Sequence, residues 1–215
     1  GPGMWKLGAR HGLGQKMRTA LTLSAIALGV ACLILAGGFV QDVYIQLGEA
    51  TIHSHVGHLQ IYRKGYYVEG ARKPYQYTLK SPAKISSIVE ANPAVKDTML
   101  RLGFGGLLNN GRADLAIEAE GVEPDKEARL GSYVTILRGR QLMASDSFGI
   151  LVGEGVAHAL KLQPGSRVTL LANTTDGALN NVDLEVVGIF RSFSTDYDNH
   201  GVRIPLRAAH DLLGT

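Results

Sequence analysis

One cysteine in 215 residues excludes an internal disulfide framework and any zinc or iron–sulfur site built on several thiolates of this chain. Charge is also sparse: 19% of the residues are Asp, Glu, Lys or Arg, below the roughly 25% of an average soluble domain. Intrinsic disorder is excluded, because the chain is 45% hydrophobic and its formal net charge is only +3. No phosphate-binding loop of the Gly-x-x-x-x-Gly-Lys type occurs, so this chain should not hydrolyse ATP itself. No Gly-x-Ser-x-Gly elbow supplies a hydrolase nucleophile either. The length accommodates one or two modest domains with a real core.

A pI near 9.0 invites a nucleic-acid reading, but the charge is in the wrong place. Lys6, Arg10, Lys16 and Arg18 precede any acid, and the rest of the chain carries 18 basic and 19 acidic side chains. A DNA-binding face needs a basic stripe on the folded surface. Here a basic tag precedes a near-neutral body.

Thr19 to Val40 is a run of 22 residues without a charge. As a helix it spans roughly 33 Å, enough for a hydrocarbon core. The reading is a retained transmembrane helix over 19–40, with a cleaved secretory signal and a buried core helix as the alternatives. The cations before the span, with Asp42 and Glu49 after it, put the N-terminus in the cytoplasm and the main domain outside by the positive-inside rule. Gly1-Pro2-Gly3 reads as an expression-vector scar. Residues 4–18 are a basic lead-in, able to lie in the interface through Trp5, Leu7, Leu13 and Met17, although Gly8, Gly12 and Gly14 weaken its helix. Cys32 reads as a small packing residue in the span. Phe39, Val40, Val43, Tyr44 and Leu47 fall on one helical stripe, so a stalk is expected over 41–50. Phe39, Val43, Tyr44 and Leu47 are its packing face.

Beyond the stalk, helices and strands mix without regular βαβ alternation, which favours an α+β fold. Strands are expected at His58–Tyr62, Val95–Leu102 and Arg112–Glu120, the last two around a Gly-rich segment and the turn Asn109-Asn110-Gly111. Gly65–Tyr77, aromatic and basic, reads as a loop. Ser81 should cap a helix that starts at Pro82, carries Ile85, Ile88 and Val89 on one face, and ends before Pro93. Glu123–Arg129 reads as a loop or short helix. A second unit follows: strands at Ile150–Val152, Arg167–Leu171, Asp183–Phe190 and Val202–Pro205, and helices at Glu154–Leu160 and Leu206–Leu213.

Three constellations invite chemistry. Gly153-Glu154-Gly155 follows a strand and opens a helix like a dinucleotide fingerprint, but His158 stands where the third glycine belongs, so a tight turn is the plain reading. His53, His55 and His58 allow a zinc or copper site but lack an obvious fourth ligand; a polar domain entrance is the plain reading. Ser194, Asp196, Asp198 and His200 suggest an acid–base set, yet without a positioned partner they read as a solvated loop. No catalytic, metal or cofactor residue is therefore expected, and the chain reads as a non-enzyme.

Several stretches, in order, carry a resemblance. Lys16–Val30 is similar to the first span of FtsX-like ABC-transporter permeases with a MacB-type periplasmic core domain, and Gly57–Tyr62 to their first periplasmic strand. Ile150–Gly155, Leu162 with Gly165, Val168–Leu171, Asp176–Asn180 and Val186–Phe190 are similar to their second subdomain. The resemblance implies a Porter-like subdomain at 51–135, a Sabre-like subdomain at 136–212, and a truncated end at 213–215 before three further spans. It implies location in the bacterial inner membrane with the main domain periplasmic. A separate cytoplasmic ATPase would use ATP, and a second permease subunit would complete a homo- or heterodimer. The chain is most similar to the lipoprotein-releasing (Lol-type) permeases, which implies lipoprotein cargo and a periplasmic carrier, with motion transmitted through the stalk. One departure stands out. Carrier-binding Lol permeases grip the carrier with a Pro-containing hairpin. The matching connection here, Ala172–Val182, has no proline and one large apolar residue. An ordinary exposed hairpin is the plain reading; if it docks a partner, Leu179 is the anchor, with Asp176 and Asn180 hydrogen-bonding around it. A MacB-type exporter, an FtsX-type regulator of cell-wall hydrolases and a single-span sensor ectodomain are the alternatives.

Overall fold

The computed structural model describes residues 3–51, 59–70, 77–130 and 134–215, with side chains described for 16–48, 59–68, 77–129 and 134–215. The chain divides into two units, Gly1–Glu49 and Ala50–Thr215.

The first unit is one helix, α1 (Gly3–Thr51), of 49 residues. At 1.5 Å per residue it is about 73 Å long. Gly8, Gly12 and Gly14 do not interrupt it, because each glycine costs only about 1 kcal/mol against alanine and good helix formers surround them. Within α1, Lys16–Gly48 is long and apolar enough to cross a membrane, and none of it is buried. The helix runs unbroken through 41–50, and Phe39, Val43, Tyr44 and Leu47 are all exposed along it.

The second unit begins irregularly. Residues 59–62 form no strand, which corrects the strand expected at His58–Tyr62, while His58 lies outside the described residues. Gly65, at φ +91°, turns the chain so that Tyr66–Gly70 winds into one π-helical turn. A Cβ on Gly65 would press on the ring of Tyr77, so glycine is required there. Helix α2 (Pro82–Glu90) starts at its proline as expected, but the Ser81 side chain makes no capping hydrogen bond. Thr98 instead joins α2 to the next segment through Ser86 and Glu90.

The remaining elements are β1 (Arg101–Asn109), β2 (Asp114–Val122), α3 (Pro124–Leu130), β3 (Thr135–Gly139), β4 (Gly149–Gly153), α4 (Glu154–Ala159), β5 (Arg167–Asn173), β6 (Leu179–Arg191), α5 (Thr195–His200), β7 (Gly201–Pro205) and α6 (Leu206–Leu213). The strand expected at Val95–Leu102 begins only at Arg101 and continues through the Gly-rich segment. Those glycines lie opposite β2, whose regular register over all nine residues holds the backbone extended. Strand β3 and helix α5 were not legible as such: β3 is short and mostly exposed, and α5 is polar.

Among the described residues seven strands form one mixed sheet in the order β3-β6-β4-β7-β2-β1-β5, and β5 pairs with β6 as well. The pairings thus close a circuit of six strands: β6, β4, β7, β2, β1, β5 and back to β6. The pairs β2–β7 and β4–β6 are parallel and the others antiparallel. Strands from 51–135 and from 136–212 therefore share a sheet. Leu108, Ile150, Val152, Leu170, Val186, Val202 and Ile204, from strands of the circuit, form one buried cluster with Leu212 and Leu213 of α6. A smaller cluster gathers Val122, Leu142, Leu151 and Phe190. The architecture is α+β, an apolar N-terminal helix followed by a β-rich domain.

Candidate functional site

The expected partner hairpin is narrower than its sequence suggests. Strands β5 and β6 pair from Arg167↔Glu185 to Asn173↔Leu179, so most of Ala172–Val182 is strand rather than loop. Only Thr174–Ala178 turns. The Thr174 amide donates to the Ala178 carbonyl at 2.7 Å, the Gly177 amide to the Thr174 carbonyl at 2.9 Å, and Gly177 adopts φ +84°. Asp176 is exposed at the tip. Leu179 is 69% exposed. Asn180, by contrast, donates its amide to the Leu212 carbonyl at 2.9 Å, and the Thr175 amide donates to Leu213 at 3.1 Å. These bonds satisfy last-turn carbonyls of α6 that the helix leaves open. The structure thus presents Leu179 and Asp176 outward and ties Asn180 inward.

The Gly153–Gly155 motif brings two short helices together. A Cβ at Gly153 would collide with the Asp198 carbonyl, and one at Gly155 with the Asn199 side chain. The glycines serve close packing of α4 on α5. An open cleft beside them is lined by Glu154, His158, Arg191, Ser192 and Asp198 among others. Arg191 clamps Glu154 bidentately at 2.6 and 2.7 Å, and this bond holds the Glu154 carboxyl below its ordinary pKa.

The residues read as a solvated loop form α5, and Asp198 is buried, which corrects that reading. Asp198 accepts the Ser192 amide at 2.8 Å. Ser194 caps α5 by accepting the Tyr197 amide at 3.3 Å, and His200 lies 3.3 Å from the Asp196 carbonyl. Ser194, Asp198 and His200 are engaged with backbone groups and Asp196 is exposed, and among the described residues no contact joins a hydroxyl of this set to a base of it. His53, His55 and His58 lie outside the described residues.

Sequence reasoning missed the most unusual cluster, a buried ion network. Arg203 on β7 has no exposed surface, and Glu127 on α3 is almost as buried. The Arg203 Nη1 donates to Glu127 Oε1 at 2.6 Å, and Arg203 Nε donates to the Tyr197 hydroxyl at 3.1 Å. Arg101 on β1 donates to Glu127 at 2.8 and 3.0 Å and to Glu120 on β2 at 3.0 Å. The Tyr197 hydroxyl donates to Glu120 at 3.0 Å. The Arg203 guanidinium lies 5.5 and 5.7 Å from the ring centroids of Phe190 and Tyr197, within cation–π range. Burial disfavours the Arg203 charge, but Tyr197, Glu127 and Glu120 outweigh it and raise its pKa. Burial raises the Tyr197 phenol, with Glu120 adding and Arg203 opposing. Each guanidinium of the network is paired with a carboxylate through hydrogen bonds, the condition under which buried ions persist. The available signal was one arginine inside the apolar strand 201–205.

A second unanticipated group is aromatic. Tyr62 stacks on Tyr66 at 4.5 Å and 11° between planes, and Tyr67 meets both edge-on at 5.2 and 5.8 Å. Partial burial, then Tyr67 and Tyr66, raises the Tyr62 phenol.

The sequence profile of the family described as MacB-like periplasmic core domain matches residues 19–215. The chain belongs to that family. The MacB-like match begins with the uncharged run and ends after α6, so apolar helix and sheet fall within one family unit. The lipoprotein-releasing system transmembrane protein LolC of Neisseria meningitidis serogroup B is 23% identical over 192 residues, covering 84% of this chain. Those residues are 42% of LolC, so the chain spans less than half the length of that relative. Among solved structures, the extracellular domain of a noncanonic ABC-type transporter, YknZ, from Gram-positive bacteria aligns with 14% identity and a TM-score of 0.47. It covers 61% of this chain and 66% of the other.

Proposed function

We propose that this chain is the N-terminal portion of an ABC-transporter permease subunit that extracts lipoproteins from the inner membrane, driven by a separate cytoplasmic ATPase. The observation that carries this reading is the family match over helix and core domain together, residues 19–215. The similarity to LolC supports lipoprotein as the cargo. In this reading α1 is retained as a span, with its basic start in the cytoplasm and the β-rich domain in the periplasm. The exposed stripe of Phe39, Val43, Tyr44 and Leu47 packs against other helices of the permease pair. Residues 51–135 and 136–212 act as Porter-like and Sabre-like subdomains that receive motion from the stalk. Leu179 and Asp176 meet a periplasmic carrier. The chain performs no bond chemistry; the arrangements around Ser194, Asp198 and Glu154 support that view, since their polar groups are engaged structurally.

The test uses the intact protein purified from membranes in mild detergent. An ABC ATPase should accompany it, and its depletion should strand lipoproteins in the inner membrane. Absence of an ATPase together with intact lipoprotein sorting overturns the proposal. The family description also favours a MacB-type exporter as a second reading; in that case a periplasmic adaptor and an outer-membrane channel co-purify and lipoprotein sorting stays normal.

A further inference from the structure

We propose that strand β3 is a docking edge that takes an extended, acid-bearing segment of a partner protein as an added strand of the sheet. The proposal does not depend on the transport reading. Among the described residues, β1, β2, β4, β5, β6 and β7 each have a strand on both sides, whereas β3 pairs with β6 alone. No hydrogen bond outside that ladder engages the backbone of residues 135–139 among the described residues. Thr135, Leu137, Arg138 and Gly139 are exposed. In an antiparallel ladder alternate residues turn their N–H and C=O groups away from the paired strand. Such a row is a template for another extended backbone.

The edge is held in place. Ile136 packs against the cluster of Val122, Leu142, Leu151 and Phe190, and the Arg140 amide donates to the Val187 carbonyl at 3.0 Å. Gly139, at φ +75°, ends the strand, and a Cβ there would strike that same carbonyl. An added strand therefore finds its template already ordered, which lowers the entropy lost on docking. Charge selects the occupant. Residues 134–145 contain Arg138 and Arg140 and no acid. Arg140 is gripped by Asp146 at 2.6 and 2.8 Å, whereas Arg138 has no ion-pair partner among the described residues. A short strand with a bulge and a cation, as β3 is between Ile136 and Arg138, resists indiscriminate apolar pairing. The β3 of a second copy would bring another Arg138 and no acid. A partner strand with a carboxylate facing Arg138 answers both the backbone row and the charge, as cross-strand ion pairs do.

The experiment follows amide hydrogen exchange by mass spectrometry on the intact protein in phosphatidylcholine nanodiscs, titrated with short capped peptides. The probe alternates threonine and valine around one central glutamate. One control carries lysine in place of the glutamate. Two others keep the glutamate but are N-methylated on alternate backbone amides, one in each register. The glutamate peptide should slow exchange over 135–139 and leave β5 unchanged. Its half-saturating concentration should be up to about five-fold lower than that of the lysine peptide. Arg138→Glu should reverse this preference, and Arg138→Gln should abolish it without reversing it. Arg138 is exposed, so both variants should melt with the parent. At least one methylated peptide should fail to protect, because one register removes the donors that pair. No protection of β3, or protection confined to other strands, overturns the proposal. Equal affinity for the glutamate and lysine peptides, or a preference unchanged in Arg138→Glu, overturns the acidic partner. Full protection by both methylated peptides shows contact without strand addition and overturns it as well. Protection of β3 that appears on concentrating the protein without peptide assigns the edge to a second copy instead.

Discussion

Arg203 and Glu127 are the residues on which the ion network turns. Glu127 accepts from two arginines, Arg203 and Arg101, and neither carboxylate nor Arg203 reaches water. Glu127→Gln leaves two cations around a neutral amide and should cost up to about 3–5 kcal/mol, because the buried Arg203 then loses its nearer carboxylate and keeps only the longer contact to Glu120. Chemical denaturation of the single variant and of Glu127→Leu/Arg203→Met should show the double variant as the more stable of the two. If the single variant is as stable as the parent, the pair is not electrostatically coupled. Asp146 offers a pH test. Arg140 grips it at 2.6 and 2.8 Å. That bond, with the Met143 amide adding and burial opposing, holds the carboxyl below its ordinary pKa. A depressed folded pKa adds stability above the unfolded value of about 3.9, and that stability is lost as pH falls through the lower folded value. Melting temperatures of parent and Asp146→Asn should therefore differ at neutral pH and converge in acid. Arg203 illustrates why this level was hard to read in the sequence. Its charge within 201–205 was visible, but its carboxylate partners on α3 and β2 come from far along the chain, and only folding joins them.

Among the elements, those with strong local patterns were legible and those shaped by neighbours were not. The uncharged stretch within α1 announced itself by length, and β2 by its alternation of Leu115, Ile117 and Ala119 with solvated positions. The part of β1 beyond Leu102 was hidden because glycines there read as loop, whereas pairing with β2 supplies the order. The β5–β6 hairpin was read too wide, since Asn180 and Asn181 have poor strand propensity and only the ladder to β5 extends them. The candidate docking residues now separate experimentally. Asn180→Ala should destabilise by about 0.5–1.5 kcal/mol through its lost bond to α6. Leu179→Asp should stay within about 0.5 kcal/mol of the parent and lower capture of a periplasmic carrier if the hairpin docks one. Thermal unfolding and carrier pull-down read the two effects separately. A Leu179 variant that binds the carrier normally would remove this hairpin from the docking proposal.

At the scale of the whole β-rich unit, the circuit of pairings mixes early and late chain. Strands β1 and β2 lie between β7 and β5, and the ion network links the same stretches through Arg101, Glu120, Glu127, Tyr197 and Arg203. Residues 101–122 and 149–213 should therefore unfold together. Hydrogen exchange in urea should give β1, β2, β4 and β7 one common opening free energy, as expected for strands of a single cooperative unit. Distinct opening energies for β1–β2 and β4–β7 would show that shared pairing does not make them one unit. The overall α+β composition was accessible from the mixture of periods in the sequence. The circuit was not, because parallel pairing of β2 with β7 has no local signature.

Chain order gives that circuit a timetable. Strand β7 occupies the slot between β2 and β4, yet it is synthesised after both of them. Until residues 201–205 emerge, β2 and β4 each face a vacant edge, the feature that recruits wrong partners in growing chains. The same five residues bring Arg203 to Glu127. A ribosome halted before that point leaves a sheet that cannot close around an acid that has lost half its counter-charge, a species fit for chaperones or proteases rather than for the membrane.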